Sequence, residues 1–201
     1  MSLQSTLRTR ATPPQVGLIL AGGRSRRMGR DKAQLQVSAQ TLLELMQAKL
    51  RAAGLTQIWV SGPHTGSIPD LQPGLGPLAG IASAVARAAD HTQMLVVAVD
   101  QPRLSVALLR GLLDAPEAPA VRYEREPLPM ILTVDRALRD LLQRCCEAPD
   151  SRNRSVFAFQ QALSVVCLGA HVDQIAELES INTAEQWRTF LAEIKSQIDP
   201  A

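Results

Sequence analysis

Neither sign of charge dominates this chain: 21 lysines and arginines against 19 aspartates and glutamates leave a formal net charge of +2. That balance excludes the broad basic surface of a general nucleic-acid binder. No run of about eighteen apolar residues occurs, so no transmembrane helix is expected. Residues 1–14 lack the apolar core of a signal peptide and read as a flexible tail. Only three cysteines are present, Cys145, Cys146 and Cys167. None stands at metal-ligand spacing, and they read as reduced thiols of a cytosolic protein. His64, His91 and His171 likewise have no companions at such spacing and read as surface histidines. Two familiar phosphate loops, Gly-x4-Gly-Lys-Ser/Thr and Gly-x-Gly-x-x-Gly, are both missing. No internal repeat or linker divides the chain.

What is present begins with Val16-Gly17-Leu18-Ile19-Leu20, a buried-looking strand, followed at once by Ala21-Gly22-Gly23 and then Arg24, Arg26, Arg27, Arg30 and Lys32, with Asp31 the only opposing charge. A turn without side chains lets backbone N–H groups approach a ligand. Clustered guanidinium groups match phosphate oxygens in pairs. A surface turn with solvated arginines is the alternative. The strand before the double glycine and the lysine after it favour phosphate binding, and nucleotide triphosphate chemistry with it.

Apolar content of 46% with 20% charged residues over 201 residues suits one globular domain with a sizeable core. Strand-like and helix-like stretches alternate, which predicts an α/β domain with a largely parallel sheet. Thr41 and Glu44 form a capping-box pattern before Leu42, Leu45, Met46, Leu50 and Ala53, with Gly54 as the stop. Ile58-Trp59-Val60 reads as a strand, and Pro77 as the first position of a helix. The run Met94–Val99 reads as a central strand covered on both faces. Further on, Ser105 opens a short helix, and strands at 120–122 and 130–133 flank a turn with Arg125. Helices follow around Leu138–Leu142 and Val156–Phe159, then a strand over 163–168. Trp187, Phe190, Leu191 and Ile194 form the apolar face of a last helix.

Asp100 follows the central strand, at the carboxyl edge where open α/β sheets bind ligands. A carboxylate there suits Mg²⁺, which takes oxygen ligands and bridges to phosphates; a turn aspartate before Pro102 is the alternative. The segment Asp70–Gly80 carries glycines that permit close approach to a base or ribose. Asp70 there is either a solvated loop residue or an acceptor for a guanine edge. Asn182 is a cap for the last helix, together with Thr183, or a substrate contact.

Residues 20–32 (Leu-Ala-Gly-Gly-Arg-Ser-Arg-Arg-Met-Gly-Arg-Asp-Lys), 73–80 (Pro-Gly-Leu-Gly-Pro-Leu-Ala-Gly), 100–104 (Asp-Gln-Pro-Arg-Leu) and 182–183 (Asn-Thr) together resemble the molybdenum cofactor guanylyltransferase family, MobA. The resemblance covers about residues 16–195 and implies a Rossmann-like three-layer sandwich with a mostly parallel central sheet. A single nucleotidyltransferase domain would occupy residues 15–198. It implies an Mg²⁺-dependent cytoplasmic enzyme that transfers GMP from GTP to the terminal phosphate of molybdenum-molybdopterin, releasing pyrophosphate. Nucleotide contacts would come from Leu20, Ala21, Gly22, Gly23, Lys32, Asp70 and Asp100, and the metal would sit on Asp100. Lys32, Asp100 and Arg27 would be the catalytic set, with Arg27 and Asn182 on the second substrate. Pro127-Leu128 is loosely similar to the family's pterin-side segment. Cofactor-insertion proteins and molybdoenzyme chaperones would be partners, with no role for nucleic acid or membrane. The chain departs from the pattern at Ser61, where the family often has Asn, at Ser180 in place of the first Asn of Asn-x-Asn-Thr, and at Ala33 in place of Gly. A molybdopterin cytidylyltransferase, a sugar-phosphate nucleotidyltransferase and a non-catalytic nucleotide-binding module are the alternatives. Cytidine-specific relatives tend to carry Leu-Ala-Ala-Gly, which makes Gly22 the discriminating residue.

Overall fold

A computed structural model describes residues 13–22, 31–70 and 75–198. The apolar run at the start forms β1 (Gln15–Leu20), whose side chains alternate between two cores. Leu18 and Leu20 join one; Ile19 and Ala21 join the other. A strand buried on both faces needs no polar positions, which is why the sequence is unbroken there. A two-residue hairpin, β2 (Gln36–Val37) and β3 (Gln40–Thr41), leads into α1 (Leu42–Ala53). The predicted capping box is formed: Glu44 N donates to Thr41 Oγ1 at 3.2 Å, and Thr41 N donates to Glu44 Oε2 at 2.7 Å. Gly54 ends α1 in the left-handed conformation, φ +115°.

The chain then builds β4 (Gln57–Ser61), α2 (Pro77–Val85), β5 (Gln93–Ala98), α3 (Val106–Leu113), β6 (Ala120–Tyr123) and β7 (Met130–Thr133). It finishes with α4 (Arg136–Glu147), α5 (Val156–Gln161), β8 (Val165–Leu168), α6 (Val172–Leu178) and α7 (Ala184–Ile198). The six long strands form one sheet in the order β4-β1-β5-β7-β6-β8. Only β7 runs against the others. Residues of α1, α3 and α7 cover one face, and residues of α2, α4 and α5 the other. The result is the expected three-layer α/β sandwich.

Two registers position the site. Leu20 at the end of β1 pairs with Ser61 at the end of β4 and with Ala98 at the end of β5. Three parallel strands therefore release their chains side by side, about 5 Å apart. The chain leaves β1 toward β4 on one side and leaves β5 toward β6 and β7 on the other, the reversal beyond whose carboxyl ends open α/β sheets bind ligands.

Candidate active site

Past the strand ends the backbones stay in contact. Ala21 N donates to Ser61 O at 2.8 Å, and Val99 N donates to Leu20 O at 3.1 Å. Gly62 takes φ +137°, and a Cβ on it would stand 2.7 Å from Gly22 N and 2.9 Å from the Ala21 carbonyl carbon. Only glycine fits. At Gly22 the space is easier, since a Cβ there would meet Gly62 Cα at 3.4 Å, an ordinary contact. Nothing among the described residues demands glycine at 22.

His64 does not lie free on the surface as expected. Its side chain is only 10% exposed. Nε2 lies 3.3 Å from Ala21 O, and Nδ1 lies 3.7 Å from Asp31 Oδ2. The imidazole thus touches both flanks of the arginine-bearing segment. Sequence reading missed this role because the partners are distant in the chain and not metal-like. Nearby, Ser61 Oγ donates to Asp70 Oδ1 at 3.3 Å. Ser61, a departure from the pattern the resemblance rests on, is therefore engaged with the carboxylate expected to read the base. Gly80 on α2 makes room for that pair, because a Cβ on it would fall 2.1 Å from Ser61 Oγ.

Lys32 gathers the groups beyond the strand ends. Asp31 caps the short 3-10 turn Lys32–Gln34, its Oδ1 accepting from Ala33 N at 3.0 Å. That turn aims the lysine across the sheet edge. Lys32 Nζ donates to Asp100 Oδ2 at 2.7 Å, to Ile181 O at 2.9 Å and to Asn182 Oδ1 at 2.9 Å. All three ammonium hydrogens are thereby used. The Lys32 and Asp100 side chains are 15% and 22% exposed, so solvent screens the pair only partly. Asn182 is not the helix cap. Thr183 Oγ1 accepts from Gln186 N at 3.1 Å and caps α7, which frees the Asn182 side chain to face the lysine. Leu20 and Ala21 are buried at the strand exit, with Gly22 beside them. Gly23, Arg24, Arg26, Arg27 and Arg30 lie outside the described residues, as do positions 71–74 with Pro73 and Gly74.

The segment carrying Asp100 is fixed from several directions. Asp100 O accepts from Ile181 N at 2.7 Å. Arg103 makes a two-pronged ion pair with Glu193 at 3.0 and 2.9 Å, with its guanidinium over the Phe190 ring. Ser105 N donates to Glu177 Oε2 at 3.2 Å. From below, Lys49 Nζ donates to Pro102 O at 2.6 Å and to Leu104 O at 2.7 Å. Burial lowers the Lys49 pKa from 10.5 to about 8, against the opposing pull of the Glu177 carboxylate. A neutral amine keeps two N–H donors for its two carbonyls, so losing the proton removes the burial cost and neither bond. Between about pH 8 and 10.5 the unfolded chain then binds more protons at this site than the folded one, and stability rises with pH across that window. Urea midpoints of the parent and of Lys49→Met should diverge in the parent's favour from about pH 8 to 10. A difference that stays flat over that range contradicts the account.

Among the described residues no group of three or more His, Cys, Asp or Glu side chains could hold a metal ion. A cation at this edge would have Asp100 as its carboxylate ligand and draw its other oxygens from substrate phosphate and water. Mg²⁺ is commonly held in that way, and the Asp100 carboxylate fits it.

Residues 17–165 match the family of the MobA-like NTP transferase domain. The chain belongs to this family. Within it, the chain is 43% identical over 182 residues to the molybdenum cofactor guanylyltransferase of Xanthomonas euvesicatoria pv. vesicatoria, covering 90% of this chain and 96% of that protein. A probable molybdenum cofactor guanylyltransferase of Opitutus terrae is 34% identical over 169 residues, 76% of this chain and 83% of its own length. The crystal structure of molybdopterin-guanine dinucleotide biosynthesis protein A from Archaeoglobus fulgidus superposes with a TM-score of 0.72 at 21% identity. It covers 90% of this chain and 99% of its own, which shows that the MobA-like fold is shared.

Proposed function

We propose that this protein transfers GMP from GTP to the terminal phosphate of molybdenum-molybdopterin, releasing pyrophosphate and forming the guanine dinucleotide form of the cofactor. The observation that carries the reading is the Lys32 clasp, which joins Asp100 and Asn182 over the carboxyl edge of β1 and β5. The name of the 43% identical relative supports the same reaction.

The attacking oxygen belongs to a phosphate already ionised near neutral pH, so the reaction calls for no strong general base. It forms a bond to the α-phosphorus of GTP while the bond from that phosphorus to the bridging oxygen breaks, and pyrophosphate leaves with the electron pair. The obstacle is the approach of two anions, and the residues answer it by charge and alignment. Lys32 places a fixed cation where phosphate charge accumulates. Asn182 and the Ile181 carbonyl orient that ammonium group. Ala21 and Gly22 let the triphosphate approach the backbone, and Asp70, steadied by Ser61, accepts from the N–H edge of guanine. Mg²⁺ on Asp100 would supply charge neutralisation at the phosphates and stabilise the leaving pyrophosphate. The resemblance assigns Arg27 to the acceptor substrate. The reading carries with it a cytoplasmic setting and hand-over of the product to cofactor-insertion proteins and molybdoenzyme chaperones.

Pyrophosphate release measured with GTP, CTP and ATP in turn, each with Mg²⁺ and molybdenum-molybdopterin, tests this directly. Release should require both GTP and molybdenum-molybdopterin. Faster release with CTP, or tight GTP binding with no release at all, contradicts the proposal.

A further inference from the structure

Two glutamines are among the buried polar residues, Gln101 and Gln160, at 1% and 5% exposure. They hold consecutive carbonyls of the turn between β6 and β7. Gln160 Nε2 donates to Pro127 O at 2.7 Å, and Gln101 Nε2 donates to Leu128 O at 2.7 Å. Gln101 reaches further. Its Nε2 also donates to Leu178 O at 2.7 Å, where α6 ends, and its Oε1 accepts from Ala98 N at 3.4 Å. With two carbonyls on one side and an N–H on the other, the amide has one satisfactory orientation.

Three residues beyond Leu178, the chain meets the clasp. Ile181 N donates to Asp100 O, and Ile181 O and Asn182 Oδ1 accept from Lys32. Gln101 follows Asp100 directly. One carboxamide therefore ties the Asp100 segment both to the Pro127-Leu128 turn and to the approach to Asn182. Its bonds reach neither Ala21, Gly22 nor Asp70; of the contacts proposed for the donor nucleotide they bear only on Asp100 and, through Ile181 and Asn182, on Lys32. A methionine of similar length would fill the space and leave two buried carbonyls without donors.

We propose that Gln101 is a positioning residue for the acceptor side of the site, fixing the Pro127-Leu128 wall and the Leu178–Asn182 segment against Asp100 so that the second substrate meets a preset surface. The kinetic half of this inference rests on the two-substrate reaction proposed above and on the resemblance that sets Asn182 and Pro127-Leu128 beside the second substrate. The coupling itself stands on the hydrogen bonds.

The test compares Gln101→Met, Gln160→Met and Tyr123→Phe in the full chain. Tyr123 Oη donates to Leu108 O at 2.8 Å, a buried bond that touches neither segment, and serves as the control for general loosening. Amide hydrogen exchange in Gln101→Met should rise by about tenfold or more in residues 124–132 and 178–183 together. Gln160→Met should loosen the first segment alone, and Tyr123→Phe neither. In steady state, Gln101→Met should raise the KM for molybdenum-molybdopterin about tenfold or more and the Kd for GTP, which meets these segments only through Lys32 and Asp100, by less than about threefold. Exchange unchanged in either segment, or GTP and molybdopterin constants that worsen in parallel, overturns the proposal. If Gln101→Met does not fold, Gln101→Asn keeps the amide, shortens its reach and is judged by the same outcomes. A parent protein that binds GTP yet releases no pyrophosphate with molybdenum-molybdopterin would refute the reaction, and the exchange comparison would still decide the coupling.

Discussion

Lys32→Ala is expected to lower turnover by a factor on the order of 10²–10³ or more, the usual cost of deleting one preorganised charged donor. The side chain is the only cation that the described residues place on Asp100, Ile181 O and Asn182 Oδ1 together. Its loss removes the fixed positive charge at the site and frees Asn182 to turn away. Asp100→Ala should lose at least as much, since it removes the carboxylate proposed to hold Mg²⁺ and the lysine's ion-pair partner at once. Neither side chain belongs to the two apolar layers, so both variants should keep their far-ultraviolet circular dichroism. Because the two residues act as one unit, the double variant should be little slower than the worse single one. Near-normal pyrophosphate release in both single variants rejects the assignment; additive losses reject the idea of a unit.

The second large effect falls on Gly62, which no motif singles out. Gly62→Ala places a methyl group 2.7 Å from Gly22 N at a backbone angle that L side chains rarely adopt. Overpacking of this kind costs about 1–3 kcal/mol, and here the strain is relieved by pushing Ala21 and Gly22 out of line. Thermal unfolding should fall by several degrees, and GTP affinity should drop by about tenfold or more, roughly 1.4 kcal/mol. Gly22→Ala is the counterpart. Its added methyl finds ordinary contact distance, so stability should change by less than about 0.5 kcal/mol. Any effect on the choice between GTP and CTP then comes from the ligand side. Equal destabilisation by the two substitutions contradicts this division.

Much of the fold was legible because local chemistry and tertiary structure agree. Thr41 and Glu44 do at the start of α1 what their spacing announces, and Gly54 stops it in the left-handed conformation. The apolar strand at 93–98 is covered by helices on both faces. Other elements left no local trace. The hairpin Gln36–Thr41 has two-residue strands, too short for any periodicity. In α6 only Leu178 is buried, so no apolar stripe marks it. The reversed direction of β7 depends on its partners β5 and β6, one of them more than thirty residues away.

The site divides in the same way. Lys32, Asp100 and Asn182 stood out as residue types in suggestive places, and the structure brings all three within hydrogen-bonding distance. Asn182 looked equally suited to capping. The competition was settled by Thr183, whose hydroxyl already serves α7. His64 and Gln101 went unseen because each acts mainly on backbone groups or on residues distant in the chain, which a sequence does not display. Ser61, a departure from the family pattern, turned out to be bonded to Asp70.

A crystal structure of the protein with Mg²⁺ and a non-hydrolysable GTP analogue probes the account at its root. The triphosphate should lie across the ends of β1 and β5, with a phosphate oxygen within hydrogen-bonding distance of Lys32 Nζ and the metal on Asp100. A nucleotide seated elsewhere, with the Lys32–Asp100–Asn182 contacts undisturbed, would contradict it.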